Sequence, residues 1–207
     1  KGSTVVITGR NPEKTEAAAI EIGAVSFHCD VSDDDQILAL YDFIEKKYGK
    51  LDILVNNAGI GKFMMLEDIT RKEMQKIYDV NVFGAAMMAK GAIPFFEKQN
   101  SGNIVNIAST AALKGFASGS IYSSSKFALR SLTQCWQGEL RQKNIRVIQV
   151  NPSEVPTAFA DEDNRMERPQ EDNKLSPYEI AYTIVSALEM DSRGFIPEVT
   201  VHATNPF

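Results

Sequence analysis

Leu51-Asp52-Ile53-Leu54-Val55-Asn56-Asn57-Ala58-Gly59 is the stretch on which the reading of the fold turns. A short apolar run ends abruptly in amide-bearing and small residues. Apolar runs of this length bounded by turn residues read as buried strands, and strands buried on both faces belong to parallel sheets. Gly59 permits close backbone approach or a positive φ angle, although Asn-Asn-Ala-Gly alone also fits an ordinary turn.

The same alternation extends outward in both directions. Thr4–Thr8, Ala24–His28, Asn103–Ile107, Ile145–Val150 and Glu198–Ala203 read as further strands. Helical patterns lie between them. Asn11-Pro12 caps a helix toward Ile22. Ser32 to Asp35 caps another with Ile37, Leu38, Leu40, Tyr41 and Ile44 on one face. Thr70-Arg71-Lys72-Glu73 is a capping-box pattern opening a helix past Asn81 to Phe96. A long helix is expected over Ser120–Lys143, and Ser176-Pro177-Tyr178-Glu179 caps one through Leu188. Ala158 to Lys174 is polar and without period, a solvated loop. The expected fold is α/β, a doubly wound parallel sheet with helices on both faces, in one domain spanning residues 1–207. Ligands of such sheets bind beyond the carboxyl ends of the strands.

Composition narrows the function. The 207 residues carry a net charge of −5, with 43% hydrophobic and 24% charged residues. That balance suits a globular domain with a full core and excludes a disordered chain. No basic stripe is present to grip phosphate, so no nucleic-acid partner is expected. No apolar run is long enough for a bilayer, so no membrane role is expected. No signal-peptide pattern stands at the N-terminus. Cys29 and Cys135 form neither a disulfide framework nor a zinc pattern, and His28 and His202 are too few for a histidine metal site. Reduced, cytoplasmic residence and no metal are the simple reading.

The chemistry sits at the strand ends. Ser109 follows Ile107-Ala108, Tyr122 comes thirteen residues later, and Lys126 four after that. Positions i and i+4 share a helix face. An ammonium beside a phenol favours the phenolate and lowers a pKa that is ordinarily about 10. A tyrosine tuned in that way serves as a general acid or base. Taken as spacing alone, such a pair is more often a packed aromatic ring with a snorkelling amine.

Asn56-Asn57-Ala58-Gly59, Asn81, Ser109, Tyr122-Ser123-Ser124-Ser125-Lys126 and Asn151-Pro152-Ser153-Glu154-Val155-Pro156-Thr157 together resemble, in order and spacing, the short-chain dehydrogenase/reductase family. The resemblance implies a Rossmann-type fold and a set of roles. Tyr122 would pass the proton, Ser109 hold the substrate carbonyl, and Lys126 bind the nicotinamide ribose and depress the Tyr122 pKa. Asn81 would sit at a helix irregularity and hold a water joining Lys126 to solvent. Asn57, Ala58 and Gly59 would line the adenosine side, Asp30 and Val31 the adenine ring, and Pro152, Val155 and Thr157 the nicotinamide. Arg10 would face the adenosine ribose, which suits a 2′-phosphate and favours NADP(H), with NAD(H) as the alternative. The implied activity is hydride transfer between nicotinamide and a small-molecule carbonyl or secondary alcohol. The implied assembly is a homodimer or homotetramer.

The pattern departs from the family near the start. Val5-Val6-Ile7-Thr8-Gly9 precedes Arg10-Asn11-Pro12, and no G-x-x-x-G-x-G follows. The preferred reading makes this run the second strand, with the first βα unit, about 30 residues, missing from the sequence. The other makes it the first strand, with a segment missing before Arg10. Either way the helix N-terminus whose amides hold pyrophosphate is absent, and the first reading leaves the sheet without its central strand. The C-terminus lacks the Asp-Gly-Gly ending of 3-oxoacyl-carrier-protein reductases, which turns the expectation toward sepiapterin-reductase-like and 3-hydroxy-acid-dehydrogenase-like carbonyl reductases. A sugar-nucleotide epimerase or dehydratase uses the same Tyr-Lys pair but carries a larger C-terminal domain. A dinucleotide-binding or interaction module without turnover is the reading outside enzymes. Phe63, Met64, Phe116 and Ala117 are expected near the substrate, and Trp136 in the core or at a subunit interface. The loop 158–174 holds the position of the family's substrate lid, and Glu154 has no account at this level.

Overall fold

In the computed structural model, which describes residues 2–159 and 168–206, strands and helices alternate along the chain. The strands are β1 (Val6–Gly9), β2 (Val25–His28), β3 (Ile53–Asn56), β4 (Gly102–Ile107), β5 (Ile145–Pro152) and β6 (Glu198–Val201). The helices are α1 (Pro12–Ile22), α2 (Asp34–Tyr48), α3 (Arg71–Tyr78), α4 (Ala85–Gln99), α5 (Ser120–Leu140) and α6 (Pro177–Leu188). Every described strand pairing is parallel.

The caps explain where helices begin and end. Asn11 accepts from Lys14 N at 2.9 Å with Pro12 in the first turn, and Gly23 closes α1 at φ 67°. Asp33 accepts from the amides of Asp35 and Gln36 at the start of α2. Ser176 and Glu179 form a complete capping box on α6. Leu38 departs from expectation. It is 68% exposed, because the apolar arc of α2 that reaches the sheet is the narrower set Ile37, Leu40, Tyr41 and Ile44. α5 ends at Leu140, and Arg141–Lys143 is a 3₁₀ turn.

Strand alternation divides the core in two. Ile104 of β4 and Val147 of β5 face Ile37, Leu40, Met88 and Phe96 from α2 and α4. Their neighbours Val105 and Ile148 face Ile180 and Ala187 from α6 on the other side. Successive residues point to opposite faces, so helices cover both faces, as a doubly wound sheet requires.

The strands form two separate sheets. β3-β4-β5-β6 is one, and β1-β2 is the other. β1 and β3 are not hydrogen-bonded to each other, and Val5, Ile53 and Val55 are exposed along this break. β1 thus pairs only with β2, from Val6↔Val25 to Gly9↔His28. Among the described residues no helix is long and apolar enough to cross a membrane.

Candidate active site

The end of β4 places Ser109, whose hydroxyl oxygen accepts from Ala111 N at 3.1 Å and caps a single 3₁₀ turn, Thr110–Ala112. α5 starts without a side-chain cap. It is anchored instead by the Ser123 hydroxyl, which donates to Ala111 O at 2.7 Å. That bond fixes the helix carrying Tyr122 and Lys126 against the turn carrying Ser109. Both side chains are buried, Tyr122 at 9% and Lys126 at 4% exposure. The Lys126 ammonium donates to Ile107 O at 2.9 Å and lies 5.9 Å from the centre of the Tyr122 ring.

The electrostatics differ from the sequence expectation in one respect. Burial holds the Tyr122 phenol above its ordinary pKa, opposed by a hydrogen bond with Ser109. The ammonium spends a hydrogen bond on the Ile107 carbonyl and is itself desolvated. Burial brings Lys126 down to about 8. In this arrangement Tyr122 is a neutral phenol near pH 7 and Lys126 is a buried cation close to losing its charge.

Asn81 lies in a π-helical turn, Asp79–Gly84, between α3 and α4. The wider turn aims its side chain inward. Its Oδ1 accepts from Ile60 N at 2.9 Å, and its Nδ2 donates to Ile60 O at 2.9 Å and Ser125 Oγ at 3.0 Å. Asn81 therefore joins the loop after β3 to the catalytic helix, at 1% exposure. A Cβ placed on Gly59 would lie 3.5 Å from both Asn81 Oδ1 and Lys126 Nζ. Gly59, Asn81, Ser109, Tyr122 and Lys126 thus converge beyond the carboxyl ends of β3 and β4.

The remaining expected residues sit around this centre. Asn57 and Ala58 are exposed on the loop after β3. Asp30 and Val31 line an open cleft of about 660 Å³ with Gln36, Asp79 and Phe83. There the Asp30 carboxylate accepts from Ser32 N and Ser32 Oγ, at 2.9 and 2.7 Å. Arg10, at the end of β1, is exposed and outside that lining. Pro152 closes β5, Val155 packs on the α6-side core, and Thr157 is half-buried. Met64, expected near the substrate, is half-buried and packs against Ile60, Ile77 and Ile121.

Three features were not read from the sequence. Phe159 sets its ring against Tyr122, with centroids 5.4 Å apart. A buried relay runs from Asn56 Nδ2, which donates to Asn106 Oδ1 at 2.9 Å and Ala85 O at 3.2 Å, through Asn106 Nδ2, which donates to Thr133 Oγ1 at 2.8 Å. It ties β3, β4, α4 and α5 together behind the site. Glu154 bridges two cations, Arg168 at 2.9 Å and Lys174 at 3.0 Å. Hydrogen bonds from Lys174 and Arg168 hold its carboxyl below the ordinary range. Residues 160–167 of the loop expected over 158–174 lie outside the described residues. The amide runs offered the first two no local signal. The Glu154 pairing joins residues 14 and 20 positions apart.

The comparisons with known proteins follow this geometry. An uncharacterized oxidoreductase of Staphylococcus aureus strain MW2 is 31% identical over 204 residues, covering 97% of this chain and 87% of the relative. Sepiapterin reductase of Chlorobaculum tepidum is 31% identical over 206 residues, covering 97% and 83%. A metagenomic short-chain oxidoreductase solved with NADP superposes with a TM-score of 0.84 at 30% identity, covering 98% of this chain and 86% of that one. The family model for short chain dehydrogenases matches residues 1–168, and with it the segments that carry Gly59, Asn81, Ser109, Tyr122 and Lys126. The chain belongs to the short-chain dehydrogenase family.

Proposed function

We propose that the chain is an NADP(H)-dependent reductase of carbonyls, or dehydrogenase of secondary alcohols, with Tyr122 handling the proton. The observation that carries this reading is the convergence of Ser109, Tyr122, Lys126 and Asn81 on one point. When bound, the nicotinamide would supply the hydride. The residues present fit such a group. Gly59 offers bare backbone beside the Lys126 ammonium and Asn81 Oδ1, a donor and an acceptor suited to sugar hydroxyls. Asp30 and Val31 border a cleft wide enough for an adenine ring.

Each side chain then has a task. Ser109 orients the substrate oxygen by a hydrogen bond. Tyr122, neutral because it is buried, gives that oxygen a proton in reduction and accepts one in oxidation. Lys126 places positive charge 5.9 Å from the ring and stabilises the tyrosinate left behind. Asn81 holds the loop after β3 against α5, so that Gly59 and Lys126 keep their spacing. Arg10 recognises the adenosine 2′-phosphate, and Pro152, Val155 and Thr157 border the nicotinamide end. The preference for NADP(H) is supported by Arg10 and by the NADP of the metagenomic relative. The break between β1 and β3 is the place for a βα unit bearing the pyrophosphate loop, in one domain with the rest. Self-association as a dimer or tetramer follows by analogy with the family.

A second reading follows from the same break. A chain whose β1 and β3 edges stay open lacks a pyrophosphate seat and acts as a module without turnover. One experiment separates the two. Protein of verified mass is titrated with NADPH and NADH by nicotinamide fluorescence, then assayed alongside Tyr122→Phe. Tight NADPH binding that survives the change, with turnover lowered about 10²–10⁴-fold, supports the reductase. Turnover that survives removes Tyr122 from the mechanism, and absence of binding supports the module.

A further inference from the structure

Phenylalanine rings crowd the buried Tyr122 phenol. The Phe63 centroid is 5.5 Å from that of Tyr122 at an interplanar angle of 66°, and Phe159 is 5.4 Å away at 63°. Phe116 lies 6.0 Å from Phe63. Both contacts on Tyr122 are edge-to-face, the arrangement aromatic rings prefer. The three phenylalanines come from different segments: Phe63 after β3, Phe116 before α5, and Phe159 after β5. The Met64 amide donates to Ser118 O at 2.9 Å and stitches the first two segments together.

Two glycines make room for these rings. A Cβ on Gly61 would fall 2.8 Å from Phe159 Cε1 and 3.4 Å from Phe63 Cε2. A Cβ on Gly119 would fall 2.6 Å from Phe116 Cζ. The cluster is therefore built into the backbone. It is also incomplete: Phe63 is 41% and Phe116 50% exposed, beside a tyrosine that is buried. Exposed rings next to a catalytic hydroxyl leave apolar surface for a ligand to cover.

We propose that the substrate carries an aryl group next to its carbonyl, which seats against Phe63, Phe116 and Phe159 while the oxygen reaches Ser109 and Tyr122. This rests on the reductase reading above and names its substrate class. A flat ring gains edge-to-face contacts that an alkyl chain of equal size does not. Lys62 and Lys114 are exposed on the same two segments, so a carboxylate-bearing substrate is the competing chemistry.

The test compares 1-phenyl-1-propanone, 1-cyclohexyl-1-propanone and pyruvate as substrates with NADPH, for the wild-type chain, Phe116→Ala, Phe63→Ala and the conservative Phe116→Tyr. The aryl ketone should exceed the cyclohexyl ketone of equal size in kcat/KM by roughly tenfold. Either alanine variant should collapse that ratio toward one, while Phe116→Tyr should keep it. Preference for pyruvate, or a ratio that the alanine variants leave unmoved, overturns the proposal. Should no carbonyl be reduced, binding of the three compounds is followed by ligand-observed NMR. Aryl binding weakened in Phe116→Ala upholds the seat while the reductase reading fails. Equal or absent binding of the aryl compound overturns the seat itself.

Discussion

β5 and β1 have the same composition style and opposite circumstances. β5 is paired on both edges, by β4 and β6, and its Val147, Ile148 and Val150 are fully buried. β1 is paired only with β2, and neither strand contains a fully buried residue. The helix that covers them, α1, buries only Thr15 and Ala19, and leaves Ile20 and Ile22 at 76% and 63% exposure. Its closest tie to the strand is at Gly9, where a Cβ would strike the Thr15 hydroxyl. A two-stranded unit is marginal by itself. On the reductase reading, catalytic geometry thus rests on the half of the molecule centred on the buried strands β4 and β5, and nucleotide recognition on the half built on β1 and β2.

Core truncation measures that contrast most directly. Ile148→Ala should cost about 2–5 kcal/mol, because Ile148 is buried and its neighbours are held on all sides. Ile7→Ala in β1 should cost at most about 1 kcal/mol, since that side chain already meets water. Urea unfolding of the two variants checks the pair, and equal losses would break the comparison.

The buried ammonium on the complete side gives a signature in pH. Lys126 titrates at about 8 when folded and at 10.5 in the unfolded chain. Between these values the unfolded state binds more protons, so stability rises with pH. The contribution is present in full above pH 10.5 and is lost as pH falls to 8. Comparison of the wild-type chain with Lys126→Met should show a difference in unfolding free energy changing by roughly 3 kcal/mol across that window. A flat difference would mean that Lys126 is solvated.

These two regions also differ in how far they could be read from the residues. Caps and periodicity located most elements within a few positions, because Asn11-Pro12, Thr70 and Ser176 act on their own backbone. Ser109, Tyr122 and Lys126 were readable because two lie one helical turn apart and the third ends the preceding strand. Phe159 was not, because its segment has no period and its contact with Tyr122 is made in space. The Asn56–Asn106–Thr133 relay depends on strand register, here Asn56↔Asn106, which no single stretch encodes. The Tyr122 pKa went the other way because proximity of Lys126 was legible and burial was not.

Gly84 is one place where the two halves touch. A Cβ there would lie 2.6 Å from Val31 O and 2.9 Å from Val31 Cγ2. The π-helical turn that bears Asn81 is thereby pressed onto the turn after β2. Gly84→Ala should cost about 1–3 kcal/mol and weaken NADPH binding, on the reductase reading, more than it lowers turnover at saturating cofactor. Loss of turnover with binding intact would show that the strain travels toward Asn81 and away from Val31.

The smallest effect is expected where the loop after β5 meets Arg168 and Lys174. Glu154 bridges both cations, yet its side chain and that of Arg168 are nearly half exposed. Water and salt screen such pairs, so the cluster should be worth about 1 kcal/mol or less. Because the folded carboxyl is held below its ordinary pKa, that contribution is present above the ordinary carboxylate range and is lost as pH falls through the folded value. Glu154→Gln keeps the shape and removes the charge. At low salt its urea midpoint should fall slightly at neutral pH, and the difference should vanish in high salt. A loss above about 2 kcal/mol that salt leaves unchanged would mean that the cluster is desolvated. The loop after β5 would then owe its position to charge, where the geometry assigns it to the packing of Val155 on the α6-side core.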